Sequence, residues 1–297
     1  MSAEIPCAAC GWTSELQNAC RYDSHVKLFY GLADRGVWSL GSKFILKERS
    51  NQPHNFEAKN LRFLKEHTTI PVPAVVEDWD EPNGQNFSIM RRIPGDPLSA
   101  VWATMSAVER ENIAKQTAGY LFQLGQLQSS RLQSVDGQPL YSAFLFPDGY
   151  GIPHGPLRSG DELWAEMEIA LKNVPEKARQ QLRKRLPPAA PYTFTHGNLA
   201  NVNIMVMNGN VTGILDWEAS GYFPVWWQYT CARIGLDQED YEWKTLLTKY
   251  MPSYESGREF WLDFYALSKY PYLNERGGSA LGKNSVFLDS GGHGFKF

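Results

Sequence analysis

The 297-residue sequence predicts an α+β fold of two lobes: an antiparallel sheet with one helix over residues 1–93, and a mainly helical lobe over residues 94–297. Strand-like runs and turn signals dominate before residue 93, and helix-like periodicity dominates after it. Between them, the stretch from Ile93 to Pro97 combines two prolines with a glycine. Such punctuation is typical of a boundary between structural units.

The first lobe is predicted to contain four strands and one helix. Its strand-like runs are short and rich in β-branched and aromatic residues, and its helix is ended by the prolines that follow it. The segment from Gly31 to Gly36 is predicted to be a turn-prone connection. In order, the predicted elements are strands at 26–30 and 43–48, a helix at 56–67, and strands at 74–80 and 86–93.

Helices are predicted in the second lobe where apolar residues recur at helical spacing. Ser106 and Glu109 form a capping box, which predicts that a helix starts there. Further helices are predicted over 161–185 and 258–269. The glycine-rich tail 277–297 is predicted to be irregular or mobile.

The stretch 192–218 contains the pattern that points to chemistry. A predicted strand over 192–195 leads into a loop that starts at His196, and two further strands flank Asn208 and Gly209. Asn-Gly is the strongest signal for a two-residue hairpin turn, because a type I′ turn needs positive φ at both positions.

The predicted hairpin brings two oxygen-bearing side chains together at its open end. Counting back from the turn places Asn203 opposite Ile214, with Asp216 two residues further on at the same end. A carboxamide and a carboxylate side by side suit Mg²⁺ carried by phosphates. Taken alone, each residue is better explained as a cap of its turn. Together with the His-Gly pair that starts the loop, they indicate a site.

This segment resembles the catalytic loop of the aminoglycoside phosphotransferase/choline-kinase-like superfamily, in particular its fungal branch. The family pattern HGD-L-x-x-x-N followed by IDWE is matched by HGNLANVN and LDWE. The segments FILKE, FEAKNLRFLKEHTTIPVP and FSIMRRIPGDPL extend the resemblance over positions 26 to 235. The resemblance implies a two-lobed, protein-kinase-like fold that transfers phosphate from ATP to a small molecule.

Carried over by position, the resemblance implies binding sites for ATP and Mg²⁺. Lys47 is similar to the strand lysine that holds the α- and β-phosphates, and Glu57 to its ion-pair partner, with an ordinary surface pair as the alternative. Asn203 and Asp216 are similar to the Mg²⁺ ligands.

The resemblance also implies roles outside the phosphate and metal sites. Met90 and Arg91 lie in the stretch Ile89 to Ile93, which is similar to the hinge that contacts adenine through its backbone. His196 is placed with the catalytic-loop residues, where it would orient the loop.

The sequence departs from the family at the catalytic aspartate, which is Asn198 here. An aspartate accepts the proton of the substrate hydroxyl, whereas the oxygen of an amide is far too weakly basic. Losing such a base typically costs about 10²–10⁴ in rate. Asn198 can still accept a hydrogen bond and position an alcohol, and phosphoryl transfer depends mostly on positioning and metal.

The predicted substrate site departs as well. Pro224 to Gln228 reads PVWWQ, where the family often has Pro-Glu-x-Trp-Glu. Glu218, Trp226 and Trp227 are candidate substrate-binding residues, although core positions at a helix start are the favoured explanation of the two tryptophans. Polycationic aminoglycosides need surrounding carboxylates, so these changes favour a neutral or aromatic small molecule over an aminoglycoside.

Three functions remain open from the sequence. The first is a divergent small-molecule phosphotransferase whose catalysis is impaired by Asn198. The second is an enzyme that uses the same cleft without ATP, to cyclise, dehydrate or condense a metabolite. The third is a non-catalytic pseudokinase that acts as a binding module. Retention of Lys47, Glu57, Asn203 and Asp216 favours the first.

Composition argues against nucleic-acid and membrane partners. A net charge of −3 gives no broad basic field for nucleic acid, and no run approaches the roughly 18 apolar residues of a spanning helix. The first residues lack the pattern of a secretory signal, so a cytoplasmic location is predicted.

A cysteine cluster near the start of the chain has the spacing of a possible metal site. Cys7, Cys10, Cys20 and His25 resemble a zinc site of three Cys and one His. Ordinary reduced thiols are the favoured interpretation, because short cysteine clusters often arise without metal.

Overall fold

The computed structural model describes residues 26–32, 35–51, 54–142, 144–148 and 151–271. The N-terminal cysteine cluster and the glycine-rich tail 277–297 lie outside these residues. Within the described ranges, no helix is both long and apolar enough to cross a membrane.

An antiparallel sheet of five strands forms the first part of the described chain, residues 26–91, in the order β1-β2-β3-β5-β4. One helix, α1 (Glu57–His67), connects β3 to β4. The strands are β1 (Val26–Leu32), β2 (Arg35–Leu40), β3 (Phe44–Ser50), β4 (Val75–Asp80) and β5 (Gln85–Arg91).

Strand β2 corrects the sequence prediction, which treated the segment from Gly31 to Gly36 as a connection and assigned no strand between residues 30 and 43. β2 is an interior strand of the sheet, because it pairs with both β1 and β3. Its Gly36 and Ser39 interrupt the apolar pattern, so pairing on both sides, and not local pattern, makes this segment a strand.

The remainder of the described chain is mainly helical. Helix α3 starts with the predicted capping box: Ser106 accepts from the backbone of Glu109, and Glu109 accepts from the backbone of Ser106. The helices are α2 (Leu98–Val101), α3 (Ala107–Gln126), α4 (Gly160–Ile169), α5 (Glu176–Arg183), α6 (Trp227–Cys231), α7 (Gln238–Thr248) and α8 (Glu255–Lys269).

The helix predicted over 161–185 is two helices, α4 and α5. Pro175 adopts an extended conformation (ψ 139°) immediately before α5. Its ring removes an N–H donor and disfavours a helical residue before it, which separates the two helices.

Two small sheets carry the loops that matter for the site. One contains β6 (Asp96–Pro97), β9 (Ile204–Met207) and β10 (Asn210–Ile214), in the order β10-β9-β6. The other contains β7 (Gln128–Ser129), β8 (Tyr192–Thr195) and β11 (Gly221–Pro224), in the order β11-β8-β7. The segment that leaves the five-stranded sheet therefore pairs directly with the 204–214 hairpin.

The hairpin turn is confirmed, and its register is corrected. Asn208 and Gly209 have φ of 52° and 71°, as a type I′ turn requires. The register shifts between Val211 and Gly213, so Ile214 pairs with Ile204 and not with Asn203. This extra residue places the backbone N–H of Leu215 opposite the carbonyl of Asn203, 2.8 Å away.

Candidate functional site

Lys47 stands at the centre of an ionic cluster between the five-stranded sheet and the end of the hairpin. Its Nζ lies 2.7 and 2.9 Å from the two carboxylate oxygens of Glu57, at the start of α1. The same Nζ lies 3.2 Å from Oδ1 of Asp216, two residues after β10. The structure thus brings together three of the residues that the sequence analysis selected, from three separate elements.

Asp216 occupies a strained backbone position that aims its carboxylate at Lys47. Its φ and ψ of 63° and 64° are left-handed, a region that aspartate tolerates better than most residues. The next residue is held on both sides: Trp217 donates its backbone N–H to Glu57 (3.3 Å), and its carbonyl accepts from the Asn60 side chain (2.8 Å). Helix α1 therefore fixes the segment that contains Asp216.

Lys47 and Asp216 stabilise each other's charged forms. Burial alone would raise the pKa of Asp216, but Lys47, acting together with neighbouring groups such as Arg35, holds the pKa below its ordinary value. Burial alone would lower the pKa of Lys47, but Glu57 and Asp216 raise it well above the ordinary value. Both groups are charged at neutral pH.

His196 joins the start of the loop 196–203, here called the catalytic loop after the family segment that it resembles, to the end of β10. Burial lowers the pKa of His196 to about 4, so the ring is neutral at neutral pH. Its Nε2 lies 2.8 Å from the carbonyl of Leu215, and its Nδ1 lies 3.2 Å from the backbone N–H of Asn198. A neutral ring that donates from Nε2 and accepts at Nδ1 satisfies both contacts, so both ring nitrogens are used to hold the loop.

Gly197 is required by the close approach of two loops. Its φ is 85°, and a Cβ at this position would lie 2.4 Å from the carbonyl oxygen of Ala219. Any side chain would force the loop away from the 217–219 turn. The glycine of the motif therefore lets the loop that contains Asn198 pack against the 217–219 turn.

Asn198 and Asn203 interact across the catalytic loop. Asn203 donates from Nδ2 to the backbone carbonyl of Asn198 at 3.0 Å, which orients its amide. Among the described residues, nothing donates to Oδ1 of Asn203. Oδ1 of Asn198 is buried and has no hydrogen-bond partner in that part of the chain. The site therefore contains two amide oxygens that accept no hydrogen bond from the described residues.

Glu218 is held by two arginines of the five-stranded sheet. Its Oε1 lies 3.3 Å from Nη1 of Arg35, and its Oε2 accepts from Nη1 of Arg49. Glu218 was predicted from the sequence to be a substrate ligand, whereas neither arginine was among the predicted site residues. The sequence did contain a signal for Arg49. It lies two residues after Lys47 on β3, and alternate residues of a strand lie on the same face.

A buried ion pair behind the catalytic loop was also missed. Oδ1 of Asp240 accepts the backbone N–H of Asn201 at 2.8 Å, and Oδ2 lies 2.8 Å from Nζ of Lys244. Asp240 and Lys244 are both buried. In the sequence they have the i, i+4 spacing of an ordinary exposed helix pair, so nothing local distinguishes them.

The proposed hinge residues lie at the end of β5. The side chain of Met90 is buried in the core, whereas the Arg91 guanidinium lies 5.4 Å from the ring centre of Phe44, which is partly buried. After them the chain leaves the sheet, and the Arg92 N–H still bonds the carbonyl of Lys43 at 2.9 Å. A role in adenine binding stays a prediction.

Trp226 and Trp227 lie in the core, which corrects their candidacy as substrate-binding residues. Their exposed fractions are 1% and 0%. Trp226 packs against Phe260, and Trp227 against Trp261 of α8. Because α6 is short and covered by α8, both indoles point inward, as the core interpretation expects.

Within the described ranges, no group of three or more His, Cys, Asp and Glu side chains is arranged to hold a metal ion. Cys231 lies in this part of the chain, and burial raises the pKa of its thiol to about 12. It is therefore an inert core thiol. The proposed zinc ligands Cys7, Cys10, Cys20 and His25 lie outside the described residues.

Solved structures of aminoglycoside phosphotransferases share this fold. APH(2'')-IIa, solved as a ternary complex with streptomycin and ATP, aligns with a TM-score of 0.55 at 15% identity, over 83% of this chain and 84% of its own. ADP-bound APH(2'')-Ib aligns with a TM-score of 0.57 at 16% identity, over 89% and 91%. APH(4)-Ia aligns with a TM-score of 0.56 at 12% identity, over 84% and 87%.

These alignments confirm the two-part, kinase-like α+β fold, and at such low identity they show the fold alone. A comparison with curated protein sequences finds no match. The model of the phosphotransferase enzyme family APH matches residues 35–243, which include the ionic cluster and the catalytic loop. The chain therefore belongs to the APH phosphotransferase enzyme family.

Proposed function

We propose that this protein binds Mg-ATP and a neutral small molecule beside the Lys47 cluster, and that it is a phosphotransferase-like enzyme whose transfer step is slowed by Asn198. The observation that carries the proposal is the contact of Lys47 with both Glu57 and Asp216. A lysine fixed by one carboxylate beside a second is the arrangement that family members use for phosphates and metal.

The residues present fit Mg²⁺ held jointly by protein and phosphates. Asp216 supplies a charged carboxylate. Asn203 supplies an amide oxygen, while the nitrogen of the same amide donates to the carbonyl of Asn198. Hard oxygen ligands of this kind suit Mg²⁺, which usually keeps several non-protein ligands. When bound, the ion would neutralise charge on the phosphates, while Lys47 would bind and orient their oxygens.

The charge balance of the cluster supports a neutral substrate. Glu57, Asp216 and Glu218 are each paired with a basic side chain. A polycationic substrate would have to compete with those pairs, because the cluster offers it no unpaired carboxylate. A hydroxyl group on a neutral or aromatic molecule would instead meet the amide of Asn198.

Asn198 would position such a hydroxyl without taking its proton. Its buried Oδ1 lacks a donor among the described residues, and an incoming O–H would satisfy it. The alcohol would then keep its proton until transfer is well advanced, which is tolerated when the transition state is loose. This explains why a member of the family could retain the cluster and still react slowly.

Replacing Lys47 with alanine should weaken ATP binding by about tenfold or more, since one charge-assisted hydrogen bond contributes about 1.5–3 kcal/mol. Isothermal titration calorimetry in excess Mg²⁺ measures this change. Lys59→Ala is the matched control, because Lys59 is an exposed lysine of α1 that pairs with Asp136. It should bind ATP like the wild type.

Removing Lys47 leaves the buried Glu57 unpaired, so folding of the variant is checked first by circular dichroism, and Lys47→Arg serves as a charge-conserving second variant. If folded Lys47→Ala binds ATP as tightly as the wild type, the cluster is not the phosphate site. In that case, conversion of hydrophobic metabolites without ATP, or stable binding of a protein partner, becomes the function to test.

A further inference from the structure

The two basic residues of β3 and the two acidic residues of the 216–218 segment form two matched pairs. Lys47 and Arg49 are two residues apart on a strand, where alternate side chains lie on one face. Asp216 and Glu218 are also two residues apart. Asp216 pairs with Lys47, and Glu218 pairs with Arg49. The lysine–aspartate pair belongs to the proposed nucleotide site, and the arginine–glutamate pair has no role in it so far.

The ion pair between Arg49 and Glu218 is shielded from water, unlike an exposed ion pair on the protein surface. The side chains of Arg49 and Glu218 are only 10% and 12% exposed. Each carboxylate oxygen of Glu218 receives one arginine donor, from Arg49 and from Arg35. Charges at this depth are costly to leave unpaired, so the pair constrains both elements that contribute to it.

Between the two pairs, Trp217 is fixed by the polar atoms of α1. Its N–H bonds Glu57 and its carbonyl bonds Asn60, at 3.3 and 2.8 Å. Asp216, whose backbone is in the left-handed conformation, is therefore held through its carboxylate by Lys47. The residues that follow it in the chain, Trp217 and Glu218, are held as well. Releasing Glu218 would free the far end of this short segment and let the Asp216 carboxylate reorient.

We propose that Arg49 and Glu218 are positioning residues for Asp216, an inference that rests on the proposed Mg-ATP site. Their ion pair sets the direction of the Asp216 carboxylate toward the metal and keeps the Glu218 carboxylate engaged, so that Glu218 is not itself a metal ligand. Partners of metal ligands in other proteins typically change metal affinity by about 10–100-fold when they are removed.

The test measures how much Mg²⁺ tightens ATP binding, by calorimetry with and without the ion. Glu218→Gln and Arg49→Gln should each reduce this tightening by about 10–100-fold, and the double variant should lose no more than either single variant. ATP affinity without Mg²⁺ should change little. Asp263→Asn, which breaks an ion pair with Arg185 elsewhere on the surface, should leave the Mg²⁺ effect intact.

Arg49→Gln separates the two possible roles of Glu218. If Glu218 were a metal ligand, releasing it from Arg49 would preserve or increase the effect of Mg²⁺, and only Glu218→Gln would reduce it. That result would overturn the proposal. Arg49→Lys retains the charge and should recover most of the Mg²⁺ effect, and it also replaces Arg49→Gln should the latter fail to fold.

A second readout needs no nucleotide. In amide NMR spectra of the deuterated protein, Arg49→Gln should shift the resonances of residues 216–218, Arg49→Lys should shift them less, and Asp263→Asn should not shift them. Unshifted resonances would refute the positioning role. If the wild type binds no ATP, the proposed function fails, and these spectra alone decide whether the ion pair orients Asp216.

Discussion

Replacing Asn198 with aspartate should increase the rate of phosphoryl transfer from ATP to an accepted alcohol by about 10²–10⁴, the usual contribution of a general base. The aspartate would stand in the same loop, next to the backbone contacts of His196 and Asn203 that already fix it. The measurement is ATP-dependent phosphorylation of a panel of neutral aliphatic and aromatic alcohols, followed by ³¹P NMR.

The matched control is Asn208→Asp, which makes the same chemical change in the exposed hairpin turn, where aspartate tolerates the positive φ. It should leave the rate unchanged. If Asn198→Asp binds Mg-ATP but phosphorylates the alcohols no faster than the wild type, impaired base catalysis is not what limits this protein. An ATP-independent reaction in the same site would then be the better explanation.

The second large effect is expected on stability. Asp240→Ala should destabilise the protein by about 3–5 kcal/mol, because it leaves Lys244 charged, buried and without its carboxylate. It also removes the acceptor for the backbone N–H groups of Asn201 and Leu236. Urea unfolding measures the change in the free energy of unfolding.

Two controls separate the unpaired charge from other causes. Combining Asp240→Leu with Lys244→Met removes both charges and should be less destabilising than Asp240→Ala alone. Glu111→Gln breaks an exposed pair of the same i, i+4 spacing with Lys115 and should leave the urea midpoint nearly unchanged. Equal destabilisation by Asp240→Ala and the double variant would show that the lost contact with the loop, not the unpaired lysine, dominates.

Local signals in the sequence were sufficient for features determined by neighbouring residues. The capping box of Ser106 and Glu109 and the Asn208-Gly209 turn both depend on a few adjacent positions, and both are confirmed. The pairing of Lys47 with Glu57 came from the family resemblance, and the structure places the two in contact. Periodicity alone does not show that a residue of a strand contacts a residue of the following helix. The resemblance supplied that contact, between two residues ten positions apart in the sequence.

Features determined by distant residues were missed or misplaced. The hairpin register shifts because β10 packs on the segment that leaves the large sheet: the Thr212 hydroxyl bonds the carbonyl of Pro94, and the side chain of Ile93 lies against Gly213. Arg49 and Asp240 look like surface charges in the sequence. Their partners, Glu218 and Asn201, are 169 and 39 residues away, so only the tertiary fold identifies them.

The most direct test of the account is a calorimetric titration of ATP into the wild-type protein with and without Mg²⁺, repeated with Asp216→Asn. ATP should bind saturably, Mg²⁺ should tighten this binding, and the tightening should be lost when the Asp216 carboxylate becomes an amide. Absence of binding at millimolar ATP, or binding that is indifferent both to Mg²⁺ and to the Asp216 carboxylate, would contradict it.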